Sequence, residues 1–581
     1  MNIQETYSLI DVCLGKMAPD LLIKSCFLVN VYTGEILEDQ DIAMKGKYIA
    51  YVGKWKYETH EIPEIIDAKG LYAIPGMIDG HTHLLYLMSP YEAIKHIIPT
   101  GTTTIITEVM EIYPIAGIRG IRDFINMLSD QPIRFFFTVP SMVTTPESLK
   151  GMDKKELEEL LCMEEVLGMG ESYWQAVLED RETFIPNMLL TLRHKKSLEG
   201  HSAGAKNEKL MAYAAIGVSS CHEPVKAQEA LERARLGLHV MIREGAVRKD
   251  LGPISEIFSK VDTRRFILSS DGVDPEELME QGYMDLIVRK AISFGLDPIK
   301  AVQMVTLNVA EHFHIDQFIG GIAPSRYGDL VLMEDLKRFH PKYVISSGKL
   351  VAQDKKLILE PRPISFGPSY LNSLKRPKIF QKEDFLIKAP QKSGSYNVSV
   401  IEMITDLVTQ KAVIELPQTG GRLLWDETSD LILVSAIDRL KPKNGHFTGL
   451  LKGFGLKKGA FACSAGWDTT DIIAVGRDPS DMALAVNRIF ELQGGAVVVV
   501  SQKVLWEIDL SILGIMSMLP MERLVRAFKE LKGIVEELGI SFRDPLLSLV
   551  TLSTSAIPFF RICHEGYKDL KTGRMEGLFI A

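Results

Sequence analysis

No apolar run in these 581 residues approaches the roughly 20 that a membrane-crossing helix needs. The opening "MNIQETYSLIDVCLGKM" lacks the basic start, apolar stretch and cleavage site of an export signal, so a cytoplasmic protein is expected. Cysteine is scarce: Cys13, Cys26, Cys162, Cys221, Cys463 and Cys563 are scattered, without CxxC pairs, which argues against a zinc ribbon or a disulfide scaffold and for reduced thiols. Basic residues are outnumbered, 66 against 75 acidic, and a net charge of -9 argues against a polyanionic partner such as nucleic acid. There is no GxSxG elbow for a serine hydrolase, and the HxE with PCxxC signature of cytidine-type deaminases is missing. Internal repeats and low-complexity tracts are absent too.

What remains is ordinary globular composition, 46% hydrophobic and 24% charged, in a chain too long for one core. Residues 21–74 alternate in short strands rich in Val, Ile and Tyr, a small β module. From residue 75, apolar strands alternate with amphipathic helical stretches, the pattern of βα units around a parallel sheet. Eight candidate strands are "YAIPGMIDGHTH", "GTTTIITEV", "IRFFFTVPS", "VLGMGE", "SLEGH", "GVSSCHE", "LHVMIRE" and "RRFILSSD". "DPEELMEQGYMDLIVRKAISFG" reads as helix after the last of them. The expected fold is therefore α/β: a (β/α)8 TIM-like barrel with a composite β-sandwich formed by flanking segments, plus a C-terminal α+β domain. The expected division is 1–74, an N-terminal segment with the first part of the sandwich; 75–315, the barrel; 316–365, the second part; and 366–581, the C-terminal domain. The polar stretch "LNSLKRPKIFQKEDF" reads as a linker before the last of these.

In a parallel barrel the C-terminal strand ends converge on one face, where side chains far apart in sequence meet. His81 and His83 end the first strand, Glu171 the fourth, His201 the fifth, His222 the sixth and Asp271 the eighth. Residues i and i+2 of a strand point to one side, so the HxH spacing lets both rings reach one ion. Four imidazoles and two carboxylates suit two divalent cations with three protein ligands each. Singly, each residue has an ordinary role: Asp271 as a cap for the helix starting at Pro275, Glu171 as a solvated loop carboxylate. His60, His96, His194, His239 and His340 carry no such signal. The joint order along the barrel favours the metal site.

"IPGMIDGHTH" closing a β module resembles the amidohydrolase superfamily, and "GTTTIITEV", "LLCMEEVLGMGE", "EGHSAG", "AIGVSSCHEPVKAQEALERARLGLHVMIREG" and "TDIIAVGRDPSDMALAVNRI" are similar to the adenine deaminases. That resemblance, from about residue 20 to the end, implies hydrolysis of adenine to hypoxanthine and ammonia in purine salvage over two divalent ions, Mn or Fe rather than Zn. It implies His81, His83, Glu171, His201, His222 and Asp271 as ligands and Asp271 as the proton-transferring group. Glu223 is expected to protonate or hold a ring nitrogen, and Ser269, Ser270 and Glu111 to contact substrate. The expected partners are a small purine base and water, with neither nucleic acid nor membrane and with room for a homodimer.

The chain departs from the family's pattern in three places. Leu84, Leu85 and Tyr86 stand where the family has Ile-Glu-Ser; "EVME" at 108–111 has Met110 in place of a histidine; "WDTTD" at 467–471 replaces His-Asp-Ser-His-Asn. These changes keep two alternatives open: a related amidohydrolase acting on another aminopurine, aminated heterocycle or cyclic amide, and a non-catalytic purine-binding paralogue.

Overall fold

The computed structural model describes residues 1–58, 60–140, 145–149, 151–390, 393–426, 428–441, 445–466 and 468–580. Eight parallel strands form the barrel: β1 (Met77–Thr82), β2 (Thr102–Glu108), β3 (Arg134–Val139), β4 (Val166–Tyr173), β5 (Ser197–His201), β6 (Ser220–Cys221), β7 (His239–Arg243) and β8 (Phe266–Ser269). They run as two sheets, β5-β4-β3-β2-β1 and β6-β7-β8. Single backbone hydrogen bonds close the two gaps, Ser219 N to Leu198 O at 2.9 Å and Asp271 N to His81 O at 3.0 Å. Nearly every residue of these strands is buried, which is why they read as apolar runs and not as alternating ones.

One carboxylate fastens the β1–β8 seam. Asp79, wholly buried, accepts from Ser270 Oγ at 2.5 Å, Tyr283 Oη at 2.5 Å, and the backbone N–H groups of Ser270 and His81. Burial pushes its carboxyl pKa up, and these four donors pull the other way. The helical stretch expected over 274–295 is two helices, Pro275–Glu280 and Met284–Ser293, because the chain turns at Gly282 with φ of 118°. Asp274, not Asp271, caps the first of them, its side chain accepting from Glu277 N.

Both flanks of the barrel join one nine-stranded β-sheet, in which Leu330–Met333 pairs antiparallel with Tyr72–Pro75 and Leu21–Asn30 lies parallel to the latter. The C-terminal part carries a second nine-stranded sheet running from Arg422–Leu423 to Lys503–Asp509. The helix Pro479–Leu492 packs on it through Met482, Val486 and Ile489, and the amphipathic helix Met521–Glu537 buries Leu524, Leu531 and Val535. The stretch 371–385 is polar in composition yet anchored: Leu374, Phe380 and Phe385 are buried, and Phe380 exchanges hydrogen bonds with the Asn487 side chain. Met516–Ser517 pairs with Leu87–Met88 and so ties the C-terminal part directly to the loop after β1.

Leu85 lies in that loop without solvent exposure, inside the large apolar core. Leu85→Glu, which restores the family residue, would bury a carboxylate among apolar neighbours at a cost of about 3–5 kcal/mol. The expected result is a clear fall in unfolding temperature by calorimetry, with no gain in activity.

Candidate metal centre

The C-terminal ends of the barrel strands bring together all six residues expected there. Glu171 is the hub: its Oε1 lies 3.2 Å from His222 Nε2, 3.3 Å from His83 Nε2 and 3.4 Å from His81 Nε2, while Oε2 lies 3.5 Å from His201 Nδ1. Asp271 Oδ1 is 3.2 Å from His81 Nε2 and 3.7 Å from His83 Nε2. Ligand atoms of His81, Glu171, His222 and Asp271 all lie within 4.8 Å of one another, and those of His201, His222 and Glu223 form a second such group. The His81 and His222 rings stack at 4.2 Å, whereas His81 and His83 stand edge to face at 5.5 Å.

Local sequence explains the placement. Asp271 takes φ of 54°, a left-handed turn that Asp tolerates, at the step where β8 closes on β1. Gly170 in "GMGE" lies against the Glu108 carboxylate; a Cβ there would sit 2.0 Å from Glu108 Oε2. A larger residue there would displace the Glu108 carboxylate, whose Oε1 accepts from Glu171 N at 3.3 Å. On the outer side of the cluster Glu111 Oε1 holds His83 Nδ1 at 2.7 Å, which leaves Nε2 turned inward.

Buried charge sets the electrostatics. Burial alone would discharge the histidines, yet Asp271 and Glu171 hold His81 up at about 10, and Glu223 and Glu171 hold His201 up at about 9. Glu171 is driven well below the usual carboxylate range, against its burial, by His222 and His201. Glu108, with fewer compensating partners, is pushed up by burial to about 8. Arg243 donates to Glu223, to Asp271 Oδ2 at 3.3 Å and to Asp250 at 3.1 Å, binding two of the carboxylates beside the histidines to one guanidinium.

A cavity of about 220 Å³ opens onto this cluster. Its barrel side includes His83, Met110, Glu171, Tyr173, Glu223 and Asp271; its other wall comes from the C-terminal part, Leu407, Val408, Asp468 and Thr554 with Ala556, Ile557 and Pro558. The Ala556 carbonyl accepts from His201 Nε2 at 3.0 Å, turning Nδ1 toward Glu171 and Glu223. Buried Arg561 donates to the carbonyls of Leu407, Ile557 and Pro558, clasping the wall in place.

Ser269, Ser270 and Glu111 do not line the cavity. Ser270 is committed to Asp79, and Glu111 to His83. Met110 does line it, where the family has histidine; Trp467 lies outside the described residues. Sequence reasoning missed Glu108 and Arg243, although both end barrel strands, β2 and β7, and the same strand-end rule finds them. Asp468 and residues 554–558 had no comparable signal.

Fold and site together define an amidohydrolase, and the amidohydrolase family model matches residues 72–351. The model of the adenine deaminase C-terminal domain matches residues 406–574. An adenine deaminase of Cenarchaeum symbiosum is 33% identical over 96% of this chain and 93% of its own. One from Thermosipho melanesiensis is 33% identical over the full length of both chains. Another, from Staphylothermus marinus, is 31% identical over 99% and 98%. The chain belongs to the adenine deaminase family. Among solved structures, a β-aspartyl dipeptidase from Fervidobacterium islandicum covers 60% of this chain and all of its own, at 17% identity and a TM-score of 0.47.

Proposed function

We propose that this protein hydrolyses adenine to hypoxanthine and ammonia, as a cytoplasmic enzyme of purine salvage, with His81, His83, Glu171, His201, His222 and Asp271 holding two divalent ions. The working division at residues 74, 315 and 365 is part of the same proposal. The observation that carries it is the meeting of four imidazoles on one carboxylate, Glu171, at the floor of a cavity, in a chain matched end to end by adenine deaminases. No helix among the described residues is long and apolar enough to cross a membrane.

The residues fit such ions. Every donor is buried, two groups of mutually close ligand atoms exist, and His201 Nδ1 is buried without a hydrogen bond of its own. A donor set of imidazole and carboxylate without thiolate suits Mn or Fe at least as well as Zn. Divalent ions held there lower the pKa of an attacking water toward neutrality.

Asp271 is the proposed proton carrier: it takes the proton of the water that adds to the ring carbon and passes it to the departing amine as the C–N bond breaks. Arg243 and His81 keep its carboxyl below the usual range despite burial, so it starts the reaction ionised. Glu223, drawn down in the same way by Arg243 and His201, is placed to hold a protonated ring nitrogen. Tyr173, Val225, Val247 and Ile557 supply apolar surface for a flat aromatic ring.

The test is elemental analysis of protein expressed with manganese, followed by ammonia release from adenine and a panel of aminopurines. About two ions per chain and preferential turnover of adenine are expected. Met110 in the cavity favours, as the second reading, another aminated ring; turnover of such a ring with adenine ignored would establish that reading. Protein without transition metal would point to a purine-binding paralogue.

A further inference from the structure

The helix Ile3–Cys13 rests on the first β module through Leu9 and Val12, which join Leu22, Ala43, Tyr48, Ala50 and Ile62 in a small core of their own. A capping box starts it: the Asn2 side chain accepts from Glu5 N, and the Glu5 side chain accepts from Asn2 N. Eleven residues make a marginal helix in isolation, so this docking and this cap hold it in shape. Its opposite face is apolar and bare: Ile3 is 72% exposed, Tyr7 58%, Ile10 48% and Leu14 55%. Single exposed apolar residues are ordinary on a soluble surface, whereas a contiguous row of them marks a contact.

Spacing says what kind of contact. Steps of four, three and four residues put the four side chains within about 60° of one another around the helix axis, a narrow seam that takes the side chains of a second helix. We infer that two copies of this chain pair through this helix, antiparallel, along Ile3, Tyr7, Ile10 and Leu14. The series of steps reads the same from both ends. In an antiparallel pair Ile3 faces the partner's Leu14 and Tyr7 faces the partner's Ile10, an isologous contact closed by a two-fold axis. The four side chains leave roughly 500 Å² bare on each chain, so two copies cover about 1,000 Å², the lower bound for a specific interface. Met1, Met17 and Tyr57, each more than a third exposed, extend the patch at the ends of the helix, where Tyr57 Oη donates to Cys13 O. A lipid surface fits badly: an interfacial helix carries Lys and Arg on its polar face, and Ile3–Cys13 has Glu5 and Asp11 with no basic residue. None of these residues lines the cavity, so the pairing stands apart from the adenine reading.

Sedimentation velocity of the full-length protein tests it. An interface near the lower bound gives a weak dimer, so the wild type is expected to pass from monomer to dimer across about 1–100 μM. Tyr7→Lys and Ile10→Glu each place a charge where the pair would bury it, and each variant alone should lose association by at least about 100-fold. Mixed in equal amounts the two variants should pair again. In the antiparallel register the introduced ammonium faces the introduced carboxylate, and the native Tyr7–Ile10 contact remains on the other side of the axis. Both positions face solvent in the single chain, so circular dichroism and unfolding temperature of each variant should match the wild type. A wild type that stays monomeric at the top of that range, or that instead co-sediments with phosphatidylglycerol vesicles, overturns the inference. A dimer that survives both substitutions also overturns it, by placing the contact elsewhere. Variants that stay monomeric when mixed overturn the antiparallel pairing. None of these outcomes depends on adenine turnover, which holds or fails separately.

Discussion

Asp271→Asn is expected to lower adenine turnover by roughly 10²–10⁴-fold, the range for losing a positioned acid–base group, or about 3–5 kcal/mol at the barrier. The protein should keep its metal. Asparagine retains an oxygen where Oδ1 now faces His81 and His83, so the donor geometry survives, but a neutral amide takes up no proton. The fold is expected to survive as well, because the bond that closes β8 on β1 is made by the Asp271 backbone, not its side chain. Ammonia release paired with elemental analysis separates the two roles. Turnover within tenfold of the wild type would remove Asp271 from the proton path, and loss of metal in parallel with activity would make it a ligand only.

Glu171→Ala is expected to do what Asp271→Asn does not: abolish metal binding and activity together. Among the described residues no other side chain is recorded against all four histidines of the cluster. Without it, the carboxylate that faces His81, His83, His201 and His222 together is gone, and the group of His81, His222 and Asp271 loses its fourth ligand. Glu171 is also the second carboxylate that raises His81, after Asp271, and His201, after Glu223, so both pKa values should fall without it. Metal content near zero by elemental analysis, with an intact circular dichroism spectrum, is the expected outcome. Retention of both ions would move the hub elsewhere.

The barrel and its donors are legible in the sequence for a physical reason. Strands buried on both faces read as apolar runs, and polar residues that end such runs have nowhere to go but the shared mouth. His81, His83, Glu171, His201, His222 and Asp271 are found this way, and Glu108 and Arg243 obey the same rule. Ser269 and Ser270 show where the rule fails: position at a strand end does not say which way a side chain turns, and Ser270 turns to Asp79 within the β1–β8 seam. The break at Gly282 was hidden because the apolar period on both sides of it is helical. Asp468 and the Thr554–Pro558 wall are illegible for a different reason. They meet the barrel only through docking of the C-terminal part, which depends on surfaces formed after each part has folded.

The Arg561 clasp and the Ala556 carbonyl have a consequence for the order in which the molecule is completed. The last of the six donors leaves the ribosome at residue 271, whereas the roof over them waits for residues nearly three hundred positions later. A nascent barrel thus exposes its donors to the surrounding ion pool before any lid exists. In the finished protein the same donors lie beneath a wall pinned by the Arg561 guanidinium, so an ion arriving after folding would have to reach them through the cavity.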